Sequence, residues 1–105
     1  MYCIIYSFEV KKGRTEDYLN SWKGLTQLIY EYEGSLGSRL HKESEIRYIA
    51  YAQWPSKEKY KNAGENLPES SNEVRSLMRE SCSKITTLLE MEMEDDLLKT
   101  KVHKG

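Results

Sequence analysis

The chain has 105 residues, the size of one domain, and a fold of that size buries only about two-thirds of its extended surface, so a partner is expected to add to its stability. With 38% hydrophobic and 31% charged residues, 16 basic against 17 acidic, the composition fits a soluble globular protein and excludes a disordered or strongly basic one. The balanced charge leaves no electrostatic footprint for nucleic acid, and no apolar run approaches the ~20 residues that span a bilayer.

Residues 2–10 read as a first strand with Tyr2, Ile4, Tyr6, Phe8 and Val10 on a core face and Cys3 and Ile5 opposite. The chain turns at Lys11-Lys12-Gly13, and Thr15 is a plausible N-cap before Glu16 and Asp17, acids placed where the helix dipole favours them. Tyr18, Trp22, Leu25, Ile29 and Tyr32 then recur at spacings of four and three, which predicts an amphipathic helix closed by Gly34. Residues 35–43 read as a moderately exposed second strand, and Glu43-Ser44-Glu45 as a hairpin turn.

The third strand starts at Ile46 and carries Tyr48, Ala50, Ala52 and Trp54 on one face. Two methyl-sized residues between two large aromatics leave room for a ligand. Pro55 ends the strand and Ser56 caps a short helix over 57–61. After the loop Gly64-Glu-Asn-Leu-Pro68, Ser70 and Glu73 have capping-box spacing, and Val74, Leu77, Met78, Cys82 and Ile85 follow with the helical period. Strict alternation over 86–93 predicts a half-buried last strand, with Leu89, Met91 and Met93 opposed by Leu88, Glu90 and Glu92.

The order strand, helix, strand, strand, helix, strand is a ferredoxin-like split β-α-β arrangement, an α+β fold with helices over one face of a four-stranded antiparallel sheet. Residues 1–94 are expected to form the domain, and 95–105 a polar tail with Leu97, Leu98 and Val102. Cys3, Ile5, Ile49, Tyr51 and Leu88 make the other sheet face too apolar for full exposure, with Glu9, Glu90 and Glu92 at its margin. A homodimer that buries this face is expected, against the alternative of a monomer with a patchy sheet.

Cys3 and Cys82 form no C-x-x-C and sit in apolar patterns, and the N-terminus enters a strand with no leader-like run. A reducing cytoplasm is the default expectation. His41 and His103 lie on a polar strand and in the tail, and the acidic run Glu90 to Asp96 reads as solvated; no metal is assigned to any of them.

Two segments, Gly-Ser-Leu-Gly-Ser at 34–38 and Tyr-x-x-Tyr-x-x-Trp-Pro-Ser-x-Glu at 48–58, together with the element order, resemble the antibiotic biosynthesis monooxygenase domain over residues 2–93. The resemblance implies a ferredoxin-like fold dimerising into an α+β barrel, with a pocket between sheet and helices in each subunit. Similar proteins include cofactor-independent monooxygenases of polycyclic phenols and quinols, haem-degrading enzymes, and small relatives with no known activity. The haem-degrading branch resembles a site of a first-strand asparagine, a late third-strand tryptophan and a histidine on the second long helix. Trp54 alone matches that set, so no haem is expected.

The candidate substrate-pocket residues are Trp54, Tyr48, Ala50, Ala52, Tyr6, Trp22 and Met78. Trp54 could stack on a planar aromatic ligand, with plain core filling as the competing reading; Trp22 and Met78 lie on core stripes of the two long helices. Tyr6 and Tyr48 could exchange a proton with a phenolic substrate, because oxygenation without a cofactor needs an electron-rich substrate anion. Arg75 and Arg79 are read as surface charges at the margin of the second long helix, with anion stabilisation as the alternative. The expected activity is cofactor-independent monooxygenation of an aromatic phenol or quinol, and the alternative is a non-catalytic small-molecule-binding or accessory domain of the same fold.

Overall fold

The strands β1 (Tyr2–Val10), β2 (Gly37–Lys42), β3 (Arg47–Trp54) and β4 (Cys82–Glu92) form one antiparallel sheet in the order β2-β3-β1-β4. The helices α1 (Thr15–Glu33), α2 (Lys57–Lys61) and α3 (Ser71–Ser81) complete the split β-α-β arrangement expected from the periodicity. These elements come from a computed structural model that describes residues 1–99, so Val102 and His103 lie outside the described residues. Among the described residues, no helix is long and apolar enough to cross a membrane.

The two central strands pair so that large residues meet at the ends and large meets small in the middle. Tyr2 lies opposite Trp54 and Phe8 opposite Tyr48, while Ile4 faces Ala52 and Tyr6 faces Ala50. Side chains directly opposite across an antiparallel pair share a face, and this face is the one the helices cover. Two core clusters result. Phe8, Val10, Tyr48, Ala50 and Cys82 pack with Tyr18 and Met78 from the helices, and Tyr2, Ile4, Ala52 and Trp54 form the second cluster against Ile29 and Tyr60. Tyr18 stacks obliquely between Phe8 and Tyr48, with ring centroids 5.2 and 5.3 Å away. Its hydroxyl is buried with no hydrogen-bond partner, so the ring earns its place by apolar contact alone.

Helix α1 ends as its sequence predicts, with Gly34 at φ 81°, a left-handed conformation that glycine takes without a side-chain clash. Gly24 lets α3 come close, since a Cβ there would meet Val74 Cγ2 at 3.3 Å. The start of α1 differs from expectation. Arg14, not Thr15, is the N-cap and makes no side-chain cap bond; its Nε instead donates to Asp17 Oδ2 at 2.8 Å. Tyr32 is exposed rather than part of the buried stripe, and Glu33 is buried in its stead.

The capping box expected at Ser70 does not form. Ser70 has helical dihedrals and its side chain caps nothing, because the preceding residues already wind into a turn in which Ser71 and Asn72 donate to the Pro68 and Glu69 carbonyls. Ser56, by contrast, is extended and its Oγ accepts from the Lys59 N–H at 3.1 Å, as predicted.

The helical period over Cys82 and Ile85 also misleads. Helix α3 stops at Ser81 and Cys82 enters β4 directly, with dihedrals of −114° and 140°, because Cys82 pairs with Val10 and the Lys11 N–H takes the Ser81 carbonyl. Sheet pairing overrides the local period here. A register shift between Ile5 and Tyr6 pairs Ile5 with Leu89 and Tyr6 with Thr87, leaving Leu88 as the extra residue of a bulge. Beyond it Leu89 and Met91 share the open face with Ile5 and Cys3, and Glu90 and Glu92 turn to the helix side, the reverse of the expected assignment for the two glutamates. The strand is exposed along most of its length rather than half buried.

Replacing the two serines separates the caps. Ser56→Ala is expected to lower the unfolding free energy by about 1 kcal/mol, whereas Ser70→Ala stays within about 0.5 kcal/mol of the parent, read as urea midpoints at constant m-value. Equal losses from both would contradict the cap assignment.

Candidate functional site

Between the two core clusters the sheet and helices do not close. Ala50 and Ala52 at the centre of β3 form the floor of a chamber of about 240 Å³, with Tyr6, Phe8 and Trp54 from the sheet, Trp22, Leu25, Thr26 and Ile29 from α1, and Met78 from α3. Ser35, Ser38 and Ile85 complete the wall. For scale, an apolar cavity of about 150 Å³ takes benzene, so this one admits a larger, fused aromatic. Most of the lining is apolar, with hydroxyls of Tyr6, Thr26, Ser35 and Ser38 at its margins.

Six of the seven residues singled out from the sequence, Trp54, Ala50, Ala52, Tyr6, Trp22 and Met78, line this one chamber. Trp22 and Met78 border the space and do not fill it. Tyr48 is elsewhere: it is buried in the core cluster, its ring against that of Tyr18. Register explains the difference, since Tyr48 lies opposite Phe8, at the end of the strand where α1 packs tightly.

The hydroxyl groups are held by local backbone geometry. Gly37 N–H donates to Ser35 Oγ at 2.9 Å, and Ser38 Oγ donates to the Tyr51 carbonyl at 3.0 Å. Their role in the chamber wall was not legible in advance, although both serines stand in the Gly-Ser-Leu-Gly-Ser segment. Thr26 was missed because it falls between apolar positions of the α1 stripe.

A second chamber of about 410 Å³ shares the walls made by Tyr6, Leu25, Ile29 and Trp54. Its other lining includes Tyr60 and Lys61 at the end of α2, Ala63, Gly64 and Leu67 of the following loop, Glu33 from α1, and Arg75 from α3. Arg75 therefore borders a cleft and is half buried, while Arg79 is exposed beside Ser76 as expected. Tyr60 could have been flagged as the lone aromatic on a five-residue helix otherwise made of lysine and glutamate, which must be its inward face.

Tyr60 links the chambers to the surface. Its ring sits edge-on to Trp54 with centroids 5.8 Å apart and tilted against Tyr2 at the same separation. Burial pushes the Tyr6 phenol well above its ordinary value, and the facing Tyr60 hydroxyl raises it further. Tyr60 is raised by burial too, and its hydroxyl donates to Glu90 Oε2 at 3.3 Å. Glu90 also accepts from Tyr2 at 3.1 Å and from Lys61 at 3.5 Å. Desolvation opposes ionisation of Glu90, but the bonds from Tyr2, Lys61 and Tyr60 outweigh it and hold the carboxyl below its usual range. A file of phenols thus runs from Tyr6 through Tyr60 to an ionised carboxylate, each phenol holding its proton more tightly than a free tyrosine does.

Glu33 holds the loop that walls the outer chamber. Its carboxylate accepts from the backbone N–H groups of Gly64 and Asn66 and from the Asn66 side-chain amide, the last two at 3.2 Å. Three donors on one buried carboxylate make a charge-assisted clamp. Among the described residues, no three His, Cys, Asp or Glu side chains gather in a way that could hold a metal ion.

The α+β ferredoxin-like fold is shared with several solved structures. A mutant of SnoaB, a cofactor-independent oxygenase from Streptomyces nogalater, matches with a TM-score of 0.73 at 13% identity, over 93% of this chain and 97% of that one. A protein from Bordetella bronchiseptica, described as a candidate antibiotic biosynthesis monooxygenase, matches with a TM-score of 0.68 at 19% identity over 89% and 96% of the two chains. Rv0793 from Mycobacterium tuberculosis has a TM-score of 0.70 at 8% identity over 92% and 98%. At these identities the likeness shows the fold. No curated protein sequence matches the chain. The family model for antibiotic biosynthesis monooxygenase matches residues 1–66, from β1 through α2, and the chain belongs to that family.

Tyr6 and Tyr60 hold their protons more tightly folded than unfolded, where tyrosine titrates near about pH 10. Their contribution to stability is therefore complete below about pH 10 and is lost as pH rises towards the folded values. Urea midpoints are expected to fall between about pH 9 and 11.5, and less steeply in Tyr6→Phe. A variant with the parent's slope would show that Tyr6 does not feel the chamber's burial.

Proposed function

We propose that the chain is a monooxygenase that oxidises an aromatic phenol or quinol in the inner chamber without a bound cofactor. The observation that carries this reading is the chamber itself: an apolar space of about 240 Å³ lined by Ala50 and Ala52, Trp54 and Trp22, and the phenol-bearing Tyr6. SnoaB, a cofactor-independent oxygenase of the same fold, supports it. Residues 1–94 are the functional unit and 95–105 its tail.

The chemistry asks little of the protein beyond placement and proton handling. An electron-rich phenolate gives one electron to dioxygen, the resulting radical pair forms a C–O bond, and the peroxide loses water to leave a quinone. One oxygen atom ends in the product and one in water, and all four electrons come from the substrate. Tyr6 takes up the hydroxyl proton as it passes its own by way of Tyr60 towards Glu90 and solvent, and the same route returns one proton to the peroxide oxygen that leaves as water. Apolar walls keep water from the reacting carbon.

A second copy covers the open sheet face. Ile5, Ile49 and Tyr51 are only half buried there, and Leu88, Leu89 and Met91 are exposed. A two-fold pairing of identical apolar faces removes this surface from water, as a homodimer. The free thiols of Cys3 and Cys82 fit a reducing cytoplasm.

Oxygen uptake coupled to quinone formation on a panel of polycyclic phenols is the direct test. Turnover on at least one member is expected, with Ala52→Leu folding normally but losing at least about tenfold in kcat/KM because its isobutyl group occupies the ring site. Tight binding across the panel with no uptake would leave a binding domain and no enzyme. Sedimentation should separately give a dimer mass that Leu89→Glu shifts towards monomer; a monomeric parent protein would refute the pairing.

A further inference from the structure

The two chambers share a wall but differ in charge. The inner one holds no ionisable group except the Tyr6 phenol, whereas Glu33, Lys61 and Arg75 line the outer one. These three charges are not equally engaged. Glu33 spends both oxygens on the loop at Gly64 and Asn66. Lys61 lies 3.5 Å from Glu90 and 5.7 Å from the centroid of the Tyr60 ring, a loose pairing on both counts.

Arg75 has the weakest support. Its Nη2 donates to Asn72 Oδ1 at 3.3 Å, and among the described residues no carboxylate lies within ion-pair distance of it. A half-buried guanidinium loses hydration without gaining a counter-ion, and its planar fork is suited to a bidentate anion.

We propose that this chain's substrate is an aromatic acid, with its rings in the inner chamber and its carboxylate in the outer one, paired to Arg75 with Lys61 as the second cation. The proposal rests on the monooxygenase reading for the place of the rings and adds the charge of what is bound. Among the described residues, Arg75 is the one charge in this lining left with a single bond to a neutral amide, since Lys61 meets Glu90 and Glu33 meets the loop amides, and a single carboxylate supplies its counter-ion. A phosphate monoester, at about −1.5 to −2 near pH 7, would overshoot that charge. Tyr6 and Trp54 line both chambers, so a ligand whose carboxylate reaches Arg75 passes beside Tyr6, and the acid acts as the handle that sets which edge of the ring meets the proton file.

Fluorescence titration of the full chain with anthracene-2-carboxylate, anthracene-2-carboxamide and 2-naphthol tests this. The acid is expected to bind about tenfold or more tightly than the isosteric amide at low salt. Arg75→Gln should bring the two within about twofold, Lys61→Gln should narrow the gap less, and 2-naphthol should bind both variants as it binds the parent. Thermal melts by circular dichroism confirm that the variants are folded. Equal affinity for acid and amide in the parent, or a preference that survives in the Arg75→Gln, Lys61→Gln double variant, overturns the proposal. If 2-naphthol binds in either case, the ring chamber stands and only the acid site is lost. Failure of all three probes overturns both.

Discussion

The register of β1 against β3 is the constraint on which the rest of the molecule depends. It sets Tyr2 opposite Trp54 and Phe8 opposite Tyr48, and between these aromatic pairs it places Ile4 and Tyr6 over Ala52 and Ala50. A shift by one residue would turn every core side chain to the other face. Given this pairing, the ends of the sheet are filled and its centre is not, so α1 and α3 rest on two aromatic clusters and bridge a gap. The cavity follows from where bulk is present, since side chains that could fill it are held by neighbours. Tyr18 is fixed by Phe8 and Tyr48, and Tyr60 by Tyr2 and Trp54.

Charge is distributed with the same economy. Both carboxylates that meet the outer chamber's surroundings are fully occupied, Glu33 by loop amides and Glu90 by Tyr2, Tyr60 and Lys61. These bonds keep both groups engaged, and those to Glu90 hold its carboxyl below the usual range. Their effect is to leave Arg75 as the cation without an internal partner and to give the proton file an ionised end. The Glu33 clamp acts across more than thirty residues of chain on the loop that walls the cleft, so the shape of the cleft and the end of α1 are one structural problem.

Much of the fold was legible because its signals are local and strong. The first strand, the end of α1 at Gly34, the cap at Ser56 and the alternation of β3 were all read correctly from residues alone. Three features were misread for one reason. Ser70 and Glu73 have the spacing of a cap but a turn had already satisfied the helix start; Cys82 and Ile85 continue a helical period but pair with β1; and the bulge at Leu88 reverses the faces of the residues that follow. In each case hydrogen bonds outside the expected pattern had already been made, at Ser70 by the adjacent turn and in β4 by pairing with a strand distant in sequence.

The residues alone determined the element types, the α+β order and three walls of a ligand space at Trp54, Ala50 and Ala52, because spacing and side-chain size are properties of the chain. Tertiary structure alone decided that Tyr48 belongs to the core, that Ser35, Ser38 and Ile85 belong to the wall, and that Arg75 borders a cleft instead of lying on open surface. It also joined Tyr6, Tyr60 and Glu90 into one file. These residues come from six separate elements and the loop before β2, and no period in a sequence encodes which of several half-buried polar groups will meet once register and the β4 bulge have set the faces.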